Sequence, residues 1–253
     1  MPFNIDIQFL GGLTPSQQSI FQQAAARWSE IIVGDLPSVE IQGVIIDDLL
    51  IFAQGVAIDG PSMVLGQAGP RFIRSDSRLP ILGMMEFDTA DLAALEASGG
   101  LLHTIIHEMG HVLGIGTLWG ELGLIQGAGG FNPVFTGENA GREFGALIGN
   151  DGPLPVPVEN MGGPGTADGH FRELLFGNEL MTGFLDPGFN PISRVTVGAL
   201  QDMGYEVDYD AADNFQLPTC QQLTLMGLHT DRGIPRCRAC GLRRGVQPQV
   251  IAA

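Results

Sequence analysis

The chain has 253 residues, of which 44% are hydrophobic and only 16% are charged, so a sizeable core is expected and global disorder is excluded. A formal net charge of −16 disfavours nucleic acid and anionic membrane surfaces as partners. No apolar run reaches the ~18 residues of a transmembrane helix, and the first ten residues lack the pattern of a signal peptide. These features leave the oligomeric state and the location of the protein open.

The first hundred residues carry the alternating and helical patterns of an α+β domain. Thr14 and Gln17 form a predicted capping box, with Pro15 at the first helical position. We expect, in chain order, a strand at 3–9, a helix from 15 to about 33, strands at 39–46 and 49–57, a loop with a short strand at 64–80, a strand at 81–87, and a short helix from about 91 to 97.

The segment 101–114, LLHTIIHEMGHVLG, predicts a helix that carries an HExxH motif. An apolar stripe at helical spacing covers one side, and Gly114 is suited to end the helix in a left-handed conformation. His107 and His111 lie four residues apart, so both imidazoles can face one metal ion on the opposite side. Glu108 is then placed to activate a water molecule and move its proton.

A catalytic zinc needs a third protein ligand, and the spacing of the residues alone does not identify it. His103 lies on the same helix, but about 12 Å along the axis from His111, which is too far for both to meet one ion together with His107. Four other candidates remain open at this stage, namely His170, Glu173, Glu179 and His229.

The segment 115–169 is rich in glycine and proline and predicts a long irregular region that shapes one wall of a cleft. Within it a helix at about 138–148 is only weakly indicated, because interior glycines disfavour helix formation. A last helix is expected from about Ser193 to Met203, followed by a short strand from Tyr205 to Tyr209. The main domain is expected to end near residue 218.

The last 35 residues form a basic tail that contains all three cysteines, Cys220, Cys237 and Cys240. With His229 they could form a small zinc site, but the spacing fits no common zinc module, and a loosely packed extension is the preferred interpretation. The acidic composition also allows calcium binding, although no EF-hand-like DxDxDG run supports it.

Three separated motifs resemble the leishmanolysin family of metzincin zinc endopeptidases, in particular its bacterial members. They are HEMGHVLGIGTLW, GHFRELLFGNELMTG and SRVTVGALQDMGYEVDY, which begin at residues 107, 169 and 193. The commonest metzincin pattern, HExxHxxGxxH, would place a third histidine at position 117, which is Thr117 in this chain. In the leishmanolysin family an insertion precedes the third histidine, so the resemblance implies His170 as the third ligand.

The resemblance implies further features of the site. Met181 would be the Met-turn methionine that packs beneath the metal, and the strand 83–87 would be an edge strand that pairs with an extended substrate. Family members are often secreted or attached to the cell surface, which suggests an extracellular or surface location.

The sequence therefore predicts an α+β metzincin-like peptidase with a twisted N-terminal sheet, an active-site helix and an irregular C-terminal subdomain. The catalytic domain would span residues 1–218, divided near residue 114, with a tail at 219–253. Zn²⁺ on His107, His111 and His170, with Glu108 as the base, would hydrolyse protein or peptide substrates. The alternatives are a zinc hydrolase with a carboxylate third ligand and a non-peptide substrate, or a non-catalytic module that keeps the metal for stability.

Overall fold

The computed structural model describes residues 2–186, 188–218 and 249–251, and within these it has a mixed α+β architecture. The strands are β1 (Ile5–Gly11), β2 (Val39–Ile41), β3 (Val44–Ile46), β4 (Leu49–Val56), β5 (Gly66–Arg74), β6 (Pro80–Asp88), β7 (Ile125–Gln126), β8 (Val134–Phe135), β9 (Val156–Pro157) and β10 (Gln249–Ile251). The helices are α1 (Pro15–Ile31), α2 (Leu92–Ser98), α3 (Leu101–Leu113), α4 (Glu138–Leu147), α5 (Glu173–Phe176) and α6 (Arg194–Met203).

The main sheet has the strand order β1-β4-β6-β5-β10. The strands β1, β4 and β6 are mutually parallel, whereas β5 runs antiparallel to β6. The short strand β10 pairs only with residues 72–74 of β5. Among the described strands, residues 66–70 of β5 therefore pair with β6 alone, and β6 itself lies inside the sheet.

Helices α1 and α3 cover one face of the main sheet and form the principal core with it. The N-terminus of α1 has the predicted capping box, with Thr14 and Gln17 bonded reciprocally. The indole of Trp28 in α1 donates to the carbonyl of Ile106 in α3 at 3.0 Å, which ties the two helices together. A smaller apolar cluster beneath the β2–β3 hairpin covers part of the other face.

The close packing of α3 on the sheet depends on a glycine in β6. A Cβ atom at Gly83 would overlap the side chain of Val112. Glycine at this position therefore lets the backbone of α3 approach β6. This close approach sets the distance between the histidines of α3 and the sheet.

The second half of the chain is held together by α4, α6 and the small sheet β7-β8-β9. Asp202 near the end of α6 accepts hydrogen bonds from the backbone N–H groups of Asn139 and Ala140, at the start of α4. This contact supplies the N-terminal cap that Gly137 has no side chain to provide.

Most predicted elements are present, and three of them differ in extent or type from the prediction. Residues 64–80 contain the nine-residue strand β5 rather than a loop with a short strand. Residues 39–46 form a hairpin of two strands rather than one strand. Residues 205–209 make a single bridge, between Val207 and Ile32, and then enter a 3-10 helix at Tyr209–Ala211.

No helix within the described residues combines the length and the apolar character needed to cross a bilayer. The cysteines at 220, 237 and 240 and His229 lie outside the described residues, so the less favoured alternative of a zinc site in the tail stays untested.

Candidate metal centre and active site

Helix α3 presents His107, Glu108 and His111 as predicted, but its polar face is buried rather than open to solvent. All three side chains are at most 1% exposed. The helix ends at Gly114, whose φ of 111° is a left-handed conformation that favours glycine. The chain then folds back, so that the carbonyl of Ile115 meets the ring of His111.

His170 reaches this helix because two glycines allow a close approach of the backbone. A Cβ atom at Gly116, where φ is 73°, would overlap the carbonyl of Gly169, the residue directly before His170. The long segment 115–169 thus leaves α3 and returns to it within a few residues of its starting point. His170 is fully buried there.

The three imidazoles converge on one point through their Nε2 atoms. The Nε2 atom of His111 lies 3.0 Å from that of His107 and 3.0 Å from that of His170, and the remaining pair is 3.2 Å apart. They form a group whose potential ligand atoms are close enough to share one metal ion.

The opposite ring nitrogens define the tautomers. The Nδ1 atoms of His107, His111 and His170 lie 2.6, 2.8 and 2.8 Å from the backbone carbonyls of Leu180, Ile115 and Thr166, respectively. A carbonyl can only accept, so each neutral ring carries its proton on Nδ1. The three Nε2 atoms then have only lone pairs, and their short contacts with one another are not hydrogen bonds. A cation at their centre would turn this repulsion into ligation.

Burial also keeps the rings in the neutral form that binds metals. Desolvation lowers the pKa of His107 to about 4, although its contact with the Leu180 carbonyl acts in the opposite direction. Desolvation, reinforced by the charges of the other two histidines, lowers the pKa of His111 well below its ordinary value. Neither ring needs to lose a proton to accept a metal at neutral pH.

Glu108 lies on the same helix, fully buried, and faces the start of β5. A Cβ atom at Gly66 would lie 3.3 Å from Cγ of Glu108 and 3.1 Å from the ring of Phe87. Gly66 therefore provides the space that the glutamate side chain occupies. No sequence pattern identifies this residue, because a glycine in an apparent loop carries no signal of what packs against it.

A turn at 179–183 supports the histidines from below. The Sδ atom of Met181 lies 2.8 Å from the position that a Cβ atom at Gly110 would take, so Met181 packs against α3 between its two histidines. The neighbouring Leu180 supplies the carbonyl that accepts from His107. The N–H of Phe171 donates to the carbonyl of Met181 at 3.0 Å, which joins this turn to the His170 segment.

Glu179 anchors that turn and does not join the histidine cluster. Its fully buried carboxylate accepts from the N–H of Met181 at 2.6 Å and from the N–H of Ser193 at 3.0 Å. The hydroxyls of Ser193 and Thr196 donate to it as well, at 2.8 and 2.5 Å. The glutamate thus links the turn to the N-terminus of α6, a role that the sequence analysis did not predict.

The other candidate ligands are placed elsewhere. Glu173 belongs to α5 and is absent from the group formed by the three histidines. His103 packs edge-on against Phe189, with ring centroids 5.4 Å apart, and lines a separate groove of about 330 Å³. His229 lies outside the described residues.

The family of this chain follows from a comparison with known protein families. A family model described as leishmanolysin matches residues 33–224, which is more than half of the chain. The chain belongs to the leishmanolysin family. No curated protein matches it.

Membership of the leishmanolysin family implies metallopeptidase activity, a metal cofactor and protein substrates. The donor set fits such a cofactor, since three neutral imidazole nitrogens with convergent lone pairs suit zinc and related divalent ions. His107, His111 and His170 are the residues that would hold it.

Proposed function

We propose that this protein is a zinc-dependent endopeptidase, with His107, His111 and His170 as the metal ligands and Glu108 as the general base. The observation that carries the proposal is the convergence of three Nε2 lone pairs, each fixed by a carbonyl behind its ring. Three protein ligands leave a fourth position open for chemistry, whereas a structural zinc site is closed by a fourth protein ligand.

Zinc held by these histidines would supply a Lewis acid that activates water and polarises a peptide carbonyl. Glu108 would take the proton of the attacking water on its carboxylate and deliver it to the amine of the leaving group. Burial of Glu108 keeps bulk water from competing for that proton. Met181 would serve as the Met-turn methionine, and its role is packing rather than ligation.

We further propose that β5, rather than β6, pairs with an extended substrate. The expectation that residues 83–87 form an edge strand is wrong, because β6 has β4 on one side and β5 on the other. Among the described strands, residues 66–70 of β5 pair on one side only, and a Cβ atom at Gly66 would lie 3.3 Å from Cγ of Glu108. An edge at this place would align a substrate backbone with the proposed base through sequence-independent hydrogen bonds.

The cleft would lie between an N-terminal subdomain of about residues 1–114 and a C-terminal subdomain of about 115–218. The first subdomain contains the main sheet and α3, and the second contributes His170 and the turn at 179–183. The tail at 219–253 would follow this catalytic domain, but its residues 249–251 form β10 beside β5 in the main sheet, so for these residues the expectation of a loosely packed extension is wrong. No observation favours a non-peptide substrate or a purely structural metal over peptide hydrolysis.

The direct test is cleavage of an unfolded protein substrate by the zinc-loaded chain. We expect Glu108→Gln to retain zinc and the fold but to lose at least a hundredfold in kcat, because the proton acceptor is lost. Glu121→Gln, which removes a charge from a surface pair with Arg78, is the matched control and should cleave like the wild type. Equal activity in Glu108→Gln and the wild type would overturn the assignment of the base.

The ligand assignment has its own test in zinc content. We expect His170→Ala to lose stoichiometric zinc, whereas His103→Ala, which changes a histidine on α3 outside the cluster, keeps it. Zinc retained by His170→Ala at wild-type affinity would instead indicate a different third ligand.

A further inference from the structure

A group of oxygen atoms converges around Thr182, on the turn that follows the His170 segment. The hydroxyl of Thr182 lies 3.2 Å from the carbonyl of Gly177 and 3.0 Å from each of the carbonyls of Glu179 and Phe184. A hydroxyl has one proton and can donate it to only one of these acceptors. At least two of these carbonyl oxygens therefore receive no proton from the hydroxyl, although that of Glu179 also accepts the backbone N–H of Thr182 at 3.2 Å.

The buried carboxyl of Glu173 lies beside this group, and the partly buried carboxyl of Asp186 is near that of Glu173. Glu173 is 3% exposed, its carboxyl lies next to the Thr182 hydroxyl, and its Oε2 atom has no hydrogen-bond partner among the described residues. The Oδ2 atom of Asp186 is likewise buried and, within the same part of the chain, has no hydrogen-bond partner. Buried acceptors of this kind are costly unless a proton or a cation compensates them.

No arginine compensates these charges within the described residues. The nearest one along the chain, Arg172, directs its guanidinium to the carbonyls of Val158 and Pro133 and to the side chain of Asn132. The neighbouring carboxylate of Glu159 is itself an acceptor, bonded to backbone N–H groups that include that of Glu173. The group thus has an excess of acceptors and a deficit of positive charge.

We infer that this group is a second metal site, which binds Ca²⁺ through the carboxylates of Glu173 and Asp186 and the oxygens around Thr182. Calcium takes six to eight oxygen ligands in flexible geometry and readily accepts backbone carbonyls. Magnesium requires a stricter octahedron and keeps several waters, and zinc prefers nitrogen and sulfur, so neither suits this all-oxygen set as well.

The ionisation of Glu173 is consistent with such a site. Desolvation, with the nearby charges of Asp186 and Glu159 as smaller contributions, raises the pKa of Glu173 to about 8. The cation-free carboxyl is then mostly protonated at pH 7. Calcium must displace that proton, so about 0.9 protons per ion should be released at pH 7.

A calcium ion here would brace the turn that orients the histidine cluster. The carbonyls of Gly177, Glu179 and Phe184 belong to residues on both sides of Leu180, whose own carbonyl fixes the ring of His107. The ion would therefore act on stability and on zinc retention rather than on the chemical step.

The test uses the full chain, freed of alkaline-earth ions on a chelating resin and then loaded with one equivalent of zinc. We expect titration calorimetry with CaCl₂ to give one site per chain and MgCl₂ to bind at least tenfold more weakly. Measurements in two buffers with different ionisation enthalpies should report the released proton. Thermal unfolding by circular dichroism should shift upward with calcium.

Two variants separate this site from the other acidic group of the fold, formed by Asp35, Asp47 and Asp48. We expect Glu173→Gln to weaken calcium binding at least tenfold and Asp47→Asn to leave it unchanged, with the far-UV circular dichroism spectrum of each variant as the folding control. Asp186→Asn replaces Glu173→Gln if the latter does not fold. The inference is overturned if the wild type binds no calcium, or if the binding is lost in Asp47→Asn and kept in the Glu173 variant.

Discussion

The strongest stability prediction concerns Glu179, whose carboxylate joins the turn beneath the histidines to the start of α6. Replacement by alanine removes the acceptor of four hydrogen bonds, from the N–H of Met181 and from Ser193 and Thr196. All of these donors are buried. An unsatisfied buried donor costs about 1–3 kcal/mol, and the four are not independent, so we expect a loss of about 3–5 kcal/mol in the free energy of unfolding.

The same change should reach the metal through Leu180. Its carbonyl accepts from Nδ1 of His107 at 2.6 Å, and it lies one residue from the carboxylate that fixes the turn. Loss of a group that orients a ligand typically costs about 10–100-fold in metal affinity, and we expect Glu179→Ala to fall in this range. Urea unfolding of the zinc-free protein and competition with a chelator for zinc measure the two effects separately.

Two further variants sharpen the interpretation of Glu179. Glu179→Gln keeps one acceptor oxygen for Ser193 and Thr196 but places an amide N–H₂ against the N–H of Met181, so we expect a smaller loss of about 1–3 kcal/mol. Glu143→Gln, in α4, removes the ion-pair partner of Arg194 at the start of α6. Solvent-accessible pairs of this kind contribute less than about 1 kcal/mol. The reasoning is refuted if Glu179→Ala is as stable as Glu143→Gln. Unchanged zinc affinity in a destabilised Glu179→Ala would refute the link to His107 alone.

Three other predictions follow from the packing, the ionisation and the metal. Gly83→Ala should destabilise the fold by about 2 kcal/mol or more in urea, because its Cβ atom would overlap Val112, whereas Gly120→Ala, where no atom lies within 4 Å, should be nearly neutral. Glu173 has a folded pKa raised to about 8, so its neutral form stabilises the fold at low pH, and this contribution is lost as the pH rises through 8. Between pH 6.5 and 8 the calcium-free wild type should lose about 1.5 kcal/mol relative to Glu173→Gln, and a parallel pH profile of the two proteins would contradict this. Removal of zinc by a chelator should lower the midpoint of thermal unfolding, and added zinc should restore it in proportion to the logarithm of its free concentration.

The active-site helix could be predicted from the sequence because every local signal agreed. The apolar stripe, the i, i+4 histidines and the glycine at 114 all favoured one helix with one metal-binding face, and α3 has those bounds. The capping box at Thr14 and Gln17 was equally local and equally reliable. Features that involve only one or two turns of chain need no knowledge of distant contacts.

The third histidine was not of this kind. Nothing in the spacing distinguished His170 from Glu173, Glu179 or His229, and only the family resemblance favoured it. In the structure its position depends on the contact of Gly116 with Gly169, which are separated by the whole glycine-rich segment. A pairing of backbone atoms across such a distance has no periodic signature in the sequence.

The strand β5 could not be predicted for a related reason. Gly66, Gly69 and Pro70 interrupt the alternation that identifies strands, and yet the segment pairs with β6 over most of its length. Tertiary pairing overrides local propensity here. The glycines are explained by their neighbours, since Gly66 leaves room for Glu108 and Gly69 lies near Thr117, just beyond the end of α3. The residues that weakened the strand signal are thus the ones that allow the strand to lie against the active-site helix.

This combination would explain why the region that local patterns failed to predict is also the one proposed to pair with the substrate. A peptidase that binds extended substrates needs a sheet edge close to its base, and a side chain at position 66 would press on Glu108. Glycine at 66 removes that obstacle, but it also costs strand propensity, which the pairing with β6 must offset. Gly66→Ala should therefore leave the strand intact while pressing on Glu108, and we expect zinc content to be retained and kcat to fall. A fall in zinc content with kcat per bound zinc unchanged would instead show that Gly66 serves the fold rather than the position of the base.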